Sequence, residues 1–163
     1  KMLPPDLSRM SNVWLGISVV NQAEADRDIP KLLAAPARVR FLSCEPLLGP
    51  SDLQYACFNG ADSLQKLAGL HWVIAGGESG GKARPSHPDW FRSLRDQCAA
   101  ASVAFHFKQW GEYGMKADLH PSVMQEFGFP PTDRPAWMQR MGKKAAGRTL
   151  DGVTHDGFPP VTT

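Results

Sequence analysis

The sequence predicts an α/β domain with about four parallel strands joined by crossover helices, followed by an irregular carboxyl-terminal tail. Three observations carry that reading. Short apolar runs rich in β-branched and aromatic residues recur up to Gly111. Each run stops abruptly at polar residues, glycine or proline. The stretches between the runs place apolar residues at helical spacing, and such strand–helix repeats imply a parallel sheet with right-handed crossovers.

The first strand reads from Asn12 to Val20 and ends at Asn21-Gln22. Ala23 to Ala34 follows, with Ile29, Leu32 and Leu33 at helical spacing. Pro30 lacks an N–H and clashes with the preceding turn, so the expectation is a short helix that restarts near it. Pro36 ends it. The second strand, Val39 to Cys44, runs into Glu45-Pro46, and Pro46 cannot continue the ladder. Between Leu47 and Leu70 the pattern weakens. Gly49-Pro50 marks a turn, Gln54 to Gly60 reads as a surface insertion, and Ser63 to Leu70 as a short helix.

The third strand, Trp72 to Ala75, is too short for a buried helix and reads as buried on both faces. It stops at Gly76-Gly77, where the missing Cβ atoms permit a sharp turn and the close approach of a ligand. The exit loop, Gly80 to His87, contains Lys82 and Arg84. Pro88 suits the first position of a helix, and Phe91, Leu94, Cys98 and Ala101 form its apolar stripe. Val103, Phe105 and Phe107 alternate as a fourth strand that ends in Lys108-Gln109-Trp110-Gly111. From Glu112 onward, prolines and glycines predict loops. Residues 1–111 are therefore read as the α/β domain and 112–163 as an irregular extension packed on it.

Composition narrows the function classes. The chain has 163 residues, enough for one domain with a real core. A net charge of +2 is too small to indicate nucleic acid by itself. No apolar run approaches the ~20 residues needed to span a bilayer. The amino terminus shows no apolar segment of a secretion signal. Cys44, Cys57 and Cys98 are too widely spaced for a CxxC-type site and odd in number for a disulfide framework, so reduced cytoplasmic thiols are expected. No HxH or HExxH spacing occurs, and no metal site is predicted. His87 reads as a helix-start residue and His106 as a surface one. Trp14, Trp72 and Trp90 sit among apolar residues; Trp110 follows a strand end directly and is a candidate ligand platform.

The strand exits carry the candidate site. They supply Ser18, Asn21 and Gln22; then Ser43 and Glu45; then Gly76, Gly77, Glu78 and Ser79; and last Lys108, Gln109 and Trp110. Exits of successive parallel strands share one edge of the sheet and line one cleft. Two carboxylates and an ammonium there can bind a zwitterion, hydrogen-bond a ribose, or act as acid and base. The structural alternative is that Glu45 or Glu78 pairs with Lys108 and holds the sheet top together. Arg140, Lys143, Lys144 and Arg148 lie in a stretch free of acids, which reads as a solvated face or an anion site. A sheet that does not close leaves an edge, so a homodimer through sheet edges, or the tail folded over the edge, is expected.

Several motifs together resemble one family. They are Asn12-Val13-Trp14-Leu15-Gly16-Ile17-Ser18-Val19, Leu42-Ser43-Cys44-Glu45-Pro46-Leu47-Leu48-Gly49-Pro50, Ala75-Gly76-Gly77-Glu78-Ser79-Gly80, Phe107-Lys108-Gln109-Trp110-Gly111 and Gly142-Lys143-Lys144-Ala145-Ala146-Gly147-Arg148. From about Asn12 to Pro159 the chain resembles the carboxyl-terminal half of an uncharacterised phage-associated family related to radical SAM enzymes. The resemblance implies half of a (β/α) barrel and part of an iron–sulfur enzyme of unknown substrate. SAM and a [4Fe–4S] cluster are implied for full-length members, whose three-cysteine motif lies in a half not present in this chain. Gly76-Gly77-Glu78 matches the letters that radical SAM enzymes use for the methionyl amino group. The alternatives are a non-enzymatic nucleotide- or anion-binding module and a phage-associated assembly protein.

Overall fold

The computed structural model describes residues 7–57, 67–115 and 138–160. The main sheet has four parallel strands in sequential order: β1 (Trp14–Ser18), β2 (Val39–Cys44), β3 (Trp72–Gly76) and β4 (Ala104–Gln109). Helices α1 (Gln22–Ala34), α2 (Leu53–Cys57) and α3 (Pro88–Ala100) follow the first three strands. The expected α/β architecture is present, without a closed barrel.

Alternation along the strands explains where the core lies. Leu42, Cys44, Val73, Ala75, Phe105 and Phe107 are buried on one face. They share a single core with Ala25, Ile29 and Leu32 of α1, Leu53 and Ala56 of α2, and Phe91, Leu94 and Cys98 of α3. The other face is different. Trp14, Phe41, Trp72 and Ile74 on it are only partly buried, which corrects the expectation that Trp72 to Ala75 is buried on both faces. Here the aromatic rings pack on one another, with Phe158 from the end of the chain 4.4 Å from Trp72 and 5.2 Å from Trp14. Gly16 makes room for this cluster, because a Cβ there would overlap the ring of Phe41.

Three local expectations are corrected. Helix α1 runs unbroken through Pro30. Proline removes one helical hydrogen bond, whereas an unbroken α1 keeps Ala25, Ile29 and Leu32 on one buried face. Residues 54–57 are not a surface insertion but belong to α2, whose Leu53 and Ala56 enter the core. Residues 58–60, and 63–66 of the expected short helix, lie outside the described residues; Leu67–Gly69 form a turn. The tail also holds more order than proline content implies. β5 (Tyr113–Met115) and β6 (Met138–Arg140) form an antiparallel ribbon, α4 (Lys143–Ala146) is a single turn, and Met138 and Leu150 join the core.

The tail closes one edge of the sheet. Residues 155–157 run antiparallel to β4, with Phe107 N–H donating to the His155 carbonyl at 3.0 Å and Gly157 N–H to the Phe105 carbonyl at 2.9 Å. Among the described residues, nothing pairs with the outer edge of β1. The tail is pinned to α3 by Asp151, which accepts from Arg92 at 2.6 Å and from Arg95 at 2.8 Å. Arg92 first, and then Arg95, hold the Asp151 carboxyl below the usual carboxylate range. A depressed acid stabilises the fold above its unfolded-state value of about 4 and loses that contribution as the pH falls through its native value. Asp151→Asn should therefore lower stability at pH 7 by about 0.5–1 kcal/mol, given the exposure of the pair. The deficit should shrink as the pH falls below the ordinary carboxylate range. Thermal unfolding across that range checks it; a deficit that does not change with pH would refute the assignment.

Candidate functional site

The carboxyl ends of β2, β3 and β4 meet at one rim. Glu45, one residue beyond the buried Cys44, emerges on the helix-free side, followed by the cis peptide to Pro46. Its carboxylate lies on the backbone of Gly76, where a Cβ would come within 2.5 Å of Oε1. Lys108 Nζ donates to Glu45 Oε2 at 2.9 Å. Glu45 is largely buried and Lys108 half exposed. Glu45 Oε1 is buried and accepts no hydrogen bond among the described residues. A buried carboxylate oxygen without a donor is costly, and its presence at a strand end identifies an unmet acceptor.

Glu78 is in a different state. Arg84 gives its carboxylate two side-chain bonds, at 2.8 and 3.0 Å, and a backbone N–H at 2.8 Å. These bonds lower its pKa to about 2. Glu78 is thereby committed to closing its own loop. Next to it, Gln109 donates to Ser79 Oγ at 3.2 Å. Glu45, Glu78 and Lys108 thus share one edge of the sheet, and the acids divide: one is saturated locally, the other pairs with Lys108 and keeps an oxygen unsatisfied.

The two glycines after β3 serve the protein's own chain. Gly77 N–H donates to the Gln109 carbonyl at 2.9 Å, and Glu112 N–H to the Glu78 carbonyl at 2.9 Å. The β3 and β4 exits are therefore in contact, so close that a Cβ on Gly77 would overlap the Trp110 carbonyl. The bare backbone is used for this approach and for seating Glu45.

Other candidates are occupied by folding. Asn21 caps α1, its side chain accepting from Glu24 N–H at 3.1 Å. Gln22 accepts from Asp52 N–H at 2.5 Å and joins α1 to the start of α2. The spacing Asn-x-x-Glu was the signal for the cap. Trp110, expected as a ligand platform, is buried against Phe91 and Phe107, with Nε1 donating to the Thr149 carbonyl at 2.8 Å. Ser18 is exposed and Ser43 partly buried, both below the Glu45–Lys108 pair. His87 caps α3 as expected, and His106 lies against Trp72 under the tail.

The basic stretch does not converge. Arg140 donates to the carbonyls of Gly80 and Gly81, and Arg148 pairs with Asp156. Lys143 and Lys144 stand on the exposed turn of α4. Sequence reasoning missed Arg84 and Glu112, the residues that fix the β3 exit loop; their partners are set by tertiary contacts with no local motif.

Fold and rim together define an open α/β domain with polar side chains gathered at the carboxyl ends of its parallel strands. The chain belongs to the DUF5131 family of proteins of unknown function, whose model matches residues 2–159. No curated protein and no solved structure matches it. No helix among the described residues is long and apolar enough to cross a membrane.

Proposed function

We propose that this chain is the ligand-binding half of a radical-SAM-like enzyme, with Glu45 and Lys108 taking the zwitterionic end of SAM. The observation that carries the reading is the Glu45–Lys108 pair at the rim, in which Glu45 Oε1 has no donor among the described residues. Lys108, half exposed, retains donors for a carboxylate. Glu78, which the Gly-Gly-Glu letters would have assigned to the amino group, is engaged by Arg84 instead. The resemblance to a phage-associated, radical-SAM-related family supports the same reading.

The cysteines do not suit the [4Fe–4S] cluster that the resemblance implies. Cys44 and Cys98 are buried in the core, and desolvation pushes their thiols up, that of Cys98 to about 12. Cys57 is half-buried and raised to about 11 for the same reason. Cluster ligands are thiolates that converge on one site. Among the described residues, no three His, Cys, Asp or Glu side chains do so.

Calorimetric titration with SAM tests the site. Glu45→Gln removes the charge that an ammonium would meet, a loss of about 1.5–3 kcal/mol, or roughly ten- to a hundredfold in affinity. The melting temperature should change little, because the Lys108 pair is partly exposed. Failure of the wild-type chain to bind SAM, or equal affinity in the variant, would refute the proposal.

A further inference from the structure

The loop Ser79–Lys82 is exposed, yet its backbone is held rigidly from one side. The Glu78 carbonyl accepts from Glu112 N–H at 2.9 Å, and the Gly80 and Gly81 carbonyls accept from the Arg140 guanidinium at 3.0 Å each. Glu112 and Arg140 come from the same ribbon, in which Tyr113 is registered with Arg140. In a trans peptide the C=O and the following N–H point in opposite directions. Drawing three carbonyls toward the ribbon therefore turns the N–H groups of Ser79, Gly81 and Lys82 away from it. None of these three donors has a partner among the described residues. Only the Gly80 N–H faces the ribbon, donating to Glu112 Oε1 at 3.2 Å.

Charge follows the same pattern. Glu78 is neutralised by Arg84, and Glu112 faces Arg140 at 3.9 Å. Lys82 is exposed and has no acidic partner among the described residues. Gly81 adds a further sign. Its φ is not positive, and a Cβ there would meet nothing within 4 Å, so neither backbone conformation nor packing calls for glycine. What its absent side chain does is leave adjacent N–H groups open to an approaching group.

We infer that the Ser79–Lys82 loop binds a phosphate group, with the N–H groups of Ser79, Gly81 and Lys82 and the Lys82 ammonium as donors. Successive outward N–H groups with a lysine form an anion-binding concavity. The spacing Gly76-x4-Gly81-Lys82 is that of phosphate-binding loops. The site departs from them in having Ala83 where a metal-binding hydroxyl would stand, and α3 begins only at Pro88. It therefore takes phosphate through backbone and lysine, with no helix end behind it. Arg140 acts as a positioning residue that orients the peptides. This site is separate from the Glu45–Lys108 pair and does not depend on the SAM reading.

The test is titration of the full chain with inorganic phosphate, adenosine monophosphate and adenosine at constant ionic strength, read by calorimetry and ³¹P NMR. Phosphate and the nucleotide should bind in the millimolar range or tighter. Lys82→Ala should weaken both about fivefold, the loss of one exposed charged contact. Arg140→Ala should weaken them comparably without touching the anion, and Arg140→Lys should restore part of the loss. Glu45→Gln should leave phosphate binding unchanged, which separates this site from the SAM site. Tighter binding of the nucleotide than of phosphate assigns a nucleotide ligand; equal binding assigns the phosphate group alone. No binding of either, adenosine binding as tightly as its monophosphate, or full affinity in Lys82→Ala would overturn the inference. If Arg140→Ala does not fold, the Lys82→Ala result still decides.

Discussion

Replacing Gly77 by alanine should cost more than about 3 kcal/mol and lower the melting temperature by about 10 °C in a chain of this size. The added methyl would overlap the carbonyl of Trp110, which is backbone and cannot rotate away. Relieving it means separating the β3 and β4 exits. That breaks the bonds from Gly77 N–H to the Gln109 carbonyl and from Glu112 N–H to the Glu78 carbonyl. Gly111 is constrained from the other side, since its φ of 82° favours glycine and a Cβ there would overlap the Glu78 carbonyl. By contrast, Gly81→Ala should fold normally. Thermal unfolding of the two variants side by side checks the claim. A Gly77→Ala protein as stable as Gly81→Ala would show that the exits are not locked.

Trp110→Ala should destabilise the chain by about 3–5 kcal/mol, the range for truncating a buried aromatic. Trp110 is 4% exposed and stands edge-on to Phe91 and Phe107 at ring distances of 5.3 and 5.0 Å. Removal also strips the Thr149 carbonyl of its donor. Trp110→Phe keeps most of the packing and loses the bond, so its cost should be about 1–2 kcal/mol. Urea unfolding followed by circular dichroism measures both. An unchanged midpoint in Trp110→Ala, accompanied by loss of ligand binding, would restore Trp110 to the rim as a ligand platform.

The main sheet was legible in the sequence because each strand is an apolar run with a sharp polar end. Val39–Cys44 stops at Glu45-Pro46, and the run from Trp72 stops at two glycines. Parallel order alone brings Glu45 and Lys108 to one edge. What escaped was the use made of each polar group. Asn21 and Gln22 look the same in sequence whether they face a ligand or cap a helix, and the distinguishing cue is Glu24, three residues after Asn21. Trp110 was misread because the chain turns at Gly111 and sends the indole inward under α3, a long-range event. Pro30 was misread because local propensity was weighed without the buried face of α1. The division between Glu45 and Glu78 depends on Arg84, six residues past Glu78, and on the geometry of a loop that no periodicity describes.

The one-sided closure of the sheet sets how many molecules can join through it. The β4 edge is already taken by residues 155–157 of the same chain, while the outer edge of β1 has no partner among the described residues. Filament growth by strand addition requires two open edges per molecule, one to receive and one to offer. Among the described residues, the edge of β1 is open and that of β4 is occupied, so two copies that met β1 to β1 would use up the open edge of each. Exposing the β4 edge would take removal of the hydrogen bonds at Phe105 and Phe107, so residues 155–157 act as a cover strand for β4.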